Sequence, residues 1–242
     1  AVAQAAAKDV RRAHLELGGK APAVVFADVD IAKTAEGIAQ AAFFNAGQDC
    51  TAATRAIVHE SIHDEFVAAL VEQAGKLRPG APDDEDAFYG SMNNINHFNA
   101  VLGKLDALPA HAKVETGGKR LGDSGFYVEP TIISGVAQDD PIVQEETFAP
   151  ILTVQRFSTE DEAVELANGV DYALAGSVWT TDNGTALRMT ARMDSGCVWV
   201  NCHIPLVAEM PHGGFKFSGY GKDLSIYGLE DYTRIKHVMS AH

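Results

Sequence analysis

Positive charge is scarce in this sequence. Its 242 residues carry 19 Lys and Arg against 33 Asp and Glu, a formal net charge of −14. Nucleic-acid binding needs clustered Lys and Arg to neutralise phosphates, so no nucleic-acid partner is expected. Long apolar runs are also missing. None approaches the roughly 18 residues of a spanning helix, and the opening residues lack the pattern of a secretory signal, so no membrane partner is expected. Cysteine is limited to Cys50, Cys197 and Cys202. An odd set of three is not a disulfide framework, which points to a reducing, cytoplasmic compartment. There is no tandem repeat and no low-complexity tract. A starting methionine is absent too: the sequence opens AVAQAAAKDVRRAHL, like the middle of a helix, and a piece of a longer chain is expected.

What is present is an ordinary globular composition, 46% hydrophobic and 21% charged. That is enough for a buried core in one large domain or two small ones. Ala1–Arg12 is alanine-rich and favours helix. PAVVF (22–26), TRAIVH (54–59), ILTVQRF (151–157), ALAGSVWT (173–180) and GCVWVN (196–201) read as strands. Between them lie helical patterns: one capped by Asp30 with Ile31, Ala35, Ile38 and Ala42 on a stripe, one after Ser61, and one carrying Ile95, Phe98, Leu102 and Leu105. Ser158 with Asp161 predicts a capping box, Asn168-Gly169 a helix end, and Asp182 a further helix start. Alternating strands and helices imply an α/β fold with a parallel sheet and right-handed crossovers. Thr233–Ser240 predicts a polar terminal strand that needs a partner edge.

Three segments have residue types suited to chemistry. LELGGKAP (15–22) places Glu16 before a glycine pair. FFNAGQDC (43–50) places Cys50 on a glycine-bearing bend. EETFAP (145–150) joins two glutamates to an aromatic and a proline. Singly, each has an ordinary structural explanation: a turn glutamate, a small buried cysteine, surface charge. In this order and spacing they resemble the aldehyde dehydrogenase superfamily, and the resemblance continues through GCVWVN, PHGGFKFSGYGKD and YGLEDYTRIKHVM. Several independent motifs are far more specific than one glycine pattern.

The resemblance implies the catalytic half of that fold, with the Rossmann-like cofactor domain missing. Residues 1–232 would form the catalytic domain, with 1–14 a remnant of the cofactor domain, and 233–242 an oligomerisation strand. Cys50 would attack the aldehyde as a thiolate, some of which exists near neutrality. Glu16 would activate the water that hydrolyses the thioester, provided burial raises its pKa. Glu146 would hold the nicotinamide ribose, Phe148 would pack against it, and the Leu17 carbonyl would receive the nicotinamide amide. The Cys50 backbone N–H would be one oxyanion donor. NAD is the implied cofactor, with NADP left open because that choice is made on the adenosine ribose. Homodimers or homotetramers are implied for the full-length protein. Ala149 stands where the family usually has glycine, and Ser91 where it often has proline.

GQDC together with the C-terminal segment resembles the bacterial 4-aminobutyraldehyde dehydrogenases, which implies a small ammonium-bearing aldehyde as substrate. Asp49 is then a candidate counter-charge or only a turn residue, and His203, Leu206 and His212 are candidate pocket residues. Betaine aldehyde or another aldehyde is the alternative substrate. An inactive oligomerisation or scaffold piece is the alternative of another class. HESIH (59–63) matches a zinc-protease pattern, but His59 should end a strand and Ser61 cap a helix, so the rings should diverge and no metal is expected. Cys197 and Cys202 are read as structural.

Overall fold

An unbroken apolar strand must be covered on both faces. Such strands make the centre of this fold, seen here in a computed structural model that describes residues 1–242. In chain order the strands are β1 (Leu15–Glu16), β2 (Ala21–Val25), β3 (Ala53–His59), β4 (Lys113–Thr116), β5 (Thr131–Ser134), β6 (Ile151–Phe157), β7 (Tyr172–Ala173), β8 (Ala175–Trp179), β9 (Cys197–Val200), β10 (Phe215–Lys216) and β11 (Gly219–Tyr220). The helices are α1 (Val2–Lys8), α2 (Ile31–Phe43), α3 (His63–Ala74), α4 (Ile95–Asp106), α5 (Pro141–Gln144), α6 (Glu160–Asn168), α7 (Asn183–Arg192) and α8 (Ser225–Asp231).

Seven strands form one sheet in the order β4-β5-β6-β3-β2-β8-β9. Every pair from β5 to β9 is parallel, as the alternation of strands and helices predicts. The β4–β5 pair is antiparallel, so the sheet is mixed at one edge. β4 escaped the sequence reading because KVET is polar and partly exposed.

Side chains alternate between the two faces of a strand. Ala23, Val25, Ala56 and Val58 join the core beneath α2, α3 and α4, with Ile38, Phe43, Phe66, Leu70 and Phe98. Val24 and Ile57 face the opposite way, onto Ala163 and Ala167 of α6 and Met189 of α7. Burying one such aliphatic side chain contributes about 1.5–3 kcal/mol, so both layers are needed to hold β2 and β3 central.

Helix starts match the sequence at Asp30, whose carboxylate accepts from Lys33 N, and at Asp182, which accepts from Thr185 N. Two expected caps are corrected. Ser61 does not cap α3, which begins after Ile62, because its hydroxyl and N–H are both engaged by His59 Nδ1. The capping box of α6 lies one residue later than Ser158–Asp161. Thr159 Oγ1 accepts from Glu162 N, and the longer Glu162 side chain reaches back to Ser158 N at 2.8 Å. Thr233–His242 is exposed and pairs with no strand of its own chain. A strand needs a neighbouring ladder, and no edge of this chain pairs with the tail.

Arg55, in the middle of β3, is fully buried with no carboxylate beside it. Its Nε donates to Lys20 O at 2.9 Å, Nη1 to Leu166 O at 2.7 Å and Nη2 to Ala167 O at 2.7 Å. The last two carbonyls lie near the C-terminal end of α6, where the helix dipole favours a cation. Burial still pulls the guanidinium down to about 9.

His203 is a second buried tie. Its Nε2 lies 2.8 Å from Thr51 O, and its Nδ1 lies 2.8 Å from Ser177 Oγ. Ser177 Oγ also accepts from Trp179 Nε1. Its hydroxyl proton therefore points to His203 Nδ1, and the His203 proton sits on Nε2. That neutral tautomer fits a pKa lowered by burial to about 4, against a weaker upward pull from Thr51 and Asp49.

Arg55→Met should destabilise the fold by ~3 kcal/mol or more, since it strands three buried carbonyls. Arg55→Lys should recover only part of that, both read from urea midpoints. His203 contributes stability that is present above its unfolded value of 6.5 and is lost as pH falls through about 4. Between neutrality and that pH, His203→Gln should lose less stability than the parent in parallel denaturant titrations.

Candidate functional site

The residues of the site are held by backbone pairing. Glu16 sits on β1, opposite Gly219 of β11. Next to it, Leu17 N donates to Ser218 O, and the buried Ser218 hydroxyl donates to Gly18 O at 2.7 Å while accepting from Ala173 N. This fixes the entry into β2. At Gly19 the backbone passes so near Cys50 that a Cβ would lie 2.2 Å from Cys50 O, so a side chain is excluded there.

Cys50 follows a strained bend. Asn45, Ala46 and Gly47 all take positive φ, 52°, 59° and 65°. Only glycine adopts that region readily, so two non-glycine residues in it must be over-determined by their surroundings. Here Asn45 Nδ2 donates to Gln48 O, and Gln48 Nε2 returns to Asn45 O. Asp49 Oδ1 then accepts from Thr51 N and Thr51 Oγ1, both at 2.7 Å. Ser91 joins this support, its carbonyl accepting from Gln48 Nε2. Ala149 is buried against the same bend.

The outcome is one compact group. Cys50 Sγ donates to Glu16 Oε1 at 3.4 Å, and His212 Nε2 lies 3.8 Å from the same oxygen. Burial first, then the charges of Glu16 and Asp49, push the Cys50 thiol up to about 12. The sequence reading expected some thiolate near neutrality. Burial and the two neighbouring carboxylates all disfavour the thiolate at this position.

Glu146 Oε1 accepts from Gly19 N at 2.9 Å, and its other oxygen takes no protein hydrogen bond. A Cβ on Gly18 would lie 2.3 Å from Glu146, so the glycine pair is what lets this carboxylate lie along the backbone. Leu17 and Phe148 are exposed, and the Phe148 backbone at φ 51° is held by His97 Nε2 donating to its carbonyl. A free carboxylate oxygen beside an exposed aromatic ring fits a ribose with its hydroxyls.

The structure thus joins Cys50, Glu16 and Glu146 through the Gly18-Gly19 backbone. His212 enters the same group, whereas its place in the sequence suggested only a pocket wall. His203 is buried behind the Cys50 bend with both ring nitrogens engaged, and Leu206 is exposed on the loop after β9. Lys20 and Ser218 were missed. Lys20 is fully buried, and burial, then Arg55 and Lys104, lower its amine to about 7. The available signal was a lysine directly before an apolar strand. Ser218 had no signal, since its role depends on a partner 200 residues away. In HESIH, His59 ends β3 against Ser61, while His63 opens α3 against Asp64. Cys197 and Cys202 pack on Ala21, Leu174 and Trp199, and burial pushes the Cys197 thiol up to about 11.

Comparison with known proteins agrees over nearly the whole chain. The aldehyde dehydrogenase family matches residues 1–238. Betaine aldehyde dehydrogenase from Bacillus subtilis is 43% identical over 242 residues, covering 98% of this chain and 49% of that protein. Human retinal dehydrogenase 2 is 42% identical over 231 residues, covering 95% and 45%. The crystal structure of Staphylococcus aureus betaine aldehyde dehydrogenase in complex with NAD+ superimposes with a TM-score of 0.92 at 38% identity, over 96% of this chain and 47% of that one. The chain therefore spans about half the length of the curated relatives it matches. On the family match and these identities, the chain belongs to the aldehyde dehydrogenase family.

Proposed function

We propose that this chain carries the nucleophile and the hydrolytic base of an enzyme that oxidises aldehydes to carboxylic acids with NAD or NADP. The observation that carries this reading is the contact of Cys50 Sγ with Glu16 Oε1 at 3.4 Å on a strained, buttressed bend. Glu16 takes the thiol proton as sulfur attacks the carbonyl carbon and passes it to the new oxyanion, giving a thiohemiacetal on Cys50 and a Glu16 carboxylate again. The thiohemiacetal hydroxyl proton goes to solvent as the hydride leaves. The nicotinamide of the bound cofactor supplies the hydride acceptor. Glu146 and Phe148 hold the ribose at that end, and the Leu17 carbonyl receives the amide. Once a thioester stands on Cys50, Glu16 accepts a proton from water, and hydrolysis releases the acid and the thiol. Water must reach Glu16 for this, and its side chain is 28% exposed.

The substrate we propose is a small cationic aldehyde, 4-aminobutyraldehyde in the first instance and betaine aldehyde as the alternative. The net charge of −14 and the paired carboxylates of Glu16 and Asp49 around the thiol support a cation. The relatives are named for betaine aldehyde and for retinal, so similarity alone does not choose. A cytoplasmic homo-oligomer completes the proposal, with 233–242 as the strand that pairs between subunits. No helix is long and apolar enough to cross a membrane.

The resemblance implies that these 242 residues alone are inactive, since they lack the cofactor domain. Aldehyde-dependent formation of NADH by the full-length protein, on which the following variants are also read, separates this reading from that of an inactive scaffold piece. Cys50→Ala should abolish it, and Glu16→Gln should leave a single burst of NADH followed by turnover slower by about 100-fold or more. Cys197→Ala should retain most of the activity. Near-normal turnover in Cys50→Ala sinks the mechanism.

Asp49→Asn gives a sharper test of substrate charge. Asparagine keeps an oxygen to accept from Thr51, so the bend survives and only the charge is lost. We expect kcat/KM for 4-aminobutyraldehyde to fall about tenfold, while neutral butyraldehyde is unchanged or faster because the thiol ionises more easily. Equal losses on both aldehydes would assign Asp49 to the bend alone.

A further inference from the structure

The group at the centre of the site has a second chemical capacity. A carboxylate, a thiol and an imidazole converge with one ligand atom each, all within 4.8 Å of one another. The two shorter separations are 3.4 Å for Sγ to Oε1 and 3.8 Å for Nε2 to Oε1. Tetrahedral zinc, with Zn–S of about 2.3 Å and Zn–N or Zn–O of about 2.0–2.1 Å, places its ligands roughly 3.3–3.6 Å apart. Small rotations of the side chains would therefore close the cage.

His212 brings to this group a ring nitrogen, Nε2, that no protein hydrogen bond occupies. Its side chain is about nine-tenths buried, Nε2 stops beyond hydrogen-bond distance of Glu16, and Nδ1 is buried without any partner. Nε2 is therefore open to a ligand seated between it and Glu16. Glu16 and Asp49 together make the local field negative, which opposes ionisation of the thiol but favours a dication.

We propose that Glu16, Cys50 and His212 form a binding site for a thiophilic divalent cation of the Zn2+ class, with water in the fourth position. The site rests on the catalytic reading only for its consequence. A metal seated there would occupy nucleophile and base together and block aldehyde oxidation reversibly. On binding, the Cys50 S–H bond breaks and an S–metal bond forms. The proton passes to buffer, and nothing is oxidised or reduced.

Cd2+ serves as the probe, because a thiolate-bound Cd2+ absorbs in the ultraviolet. Titration of the protein with Cd2+ should give one equivalent bound, the charge-transfer band, and one proton released to an indicator dye. Cys50→Ser should lose the band, and Cys197→Ser should keep it. His212→Phe should weaken binding by at least the roughly tenfold to hundredfold that follows removal of a group merely supporting a ligand. Glu16→Gln should do the same, and it keeps the size of the side chain should His212→Phe fail to fold. Zn2+ should compete for the band, and chelation should reverse it. A band that survives in Cys50→Ser, or an affinity indifferent to both His212→Phe and Glu16→Gln, overturns the proposal. No turnover is read, so failure here leaves the assignment of nucleophile and base standing, and failure of that assignment leaves this test intact.

Discussion

Arg55 is the constraint on which the architecture depends. A guanidinium at the centre of a parallel sheet has no water, and here it has no carboxylate. It is tolerated because three backbone carbonyls, one before β2 and two near the end of α6, converge on its planar donors. Backbone carbonyls in such places would themselves be costly if unpaired. The two liabilities therefore cancel, and in doing so they tie the Lys20 backbone, β3 and α6 to one point. The Gly18-Gly19 segment, which contacts Cys50 and Glu146, is anchored directly beside that point.

The site is built by close backbone approach on that frame. Gly19 lies so close to the Cys50 carbonyl that a side chain would not fit, and Asn45-Ala46-Gly47 turns the chain through left-handed conformations to bring Cys50 there. Such conformations cost on the order of 1–3 kcal/mol for each non-glycine residue. The mutual hydrogen bonds of Asn45 and Gln48, the Asp49 turn and the His203 tie to Thr51 offset that cost. The electrostatics follow from the same crowding. Half-burial, with Glu16 and Asp49 beside the sulfur, raises the thiol pKa to about 12. The same crowding brings His212 Nε2 to 3.8 Å from Glu16 Oε1.

Much of this was legible in the sequence. Short apolar runs located the central strands β2, β3, β6, β8 and β9, and the 3.6-residue pattern most helices, because burial on two faces of a strand or one stripe of a helix leaves a local mark. Asp30 and Asp182 capped their helices as expected, since a cap bonds within three residues. Caps at Ser61 and Ser158 were misplaced because His59 and Glu162 competed for the same groups, and residue type alone does not rank such rivals. The polar edge strand β4 left no apolar pattern, and Thr233–His242 reads as a strand but finds no partner within the chain.

The sequence by itself determined the α/β class, which local periodicity carries, and the family resemblance, which contiguous motifs carry and which implies the roles of Cys50 and Glu16. Only the tertiary structure decided the contact of Cys50 with Glu16, the entry of His212 beside Glu16, the burial of Lys20 and the roles of Arg55 and Ser218. Each of these depends on groups far apart in the chain, Ser218 and Gly18 by 200 residues. Burial, field and hydrogen-bond partners are properties of a packed neighbourhood, and no local pattern encodes them.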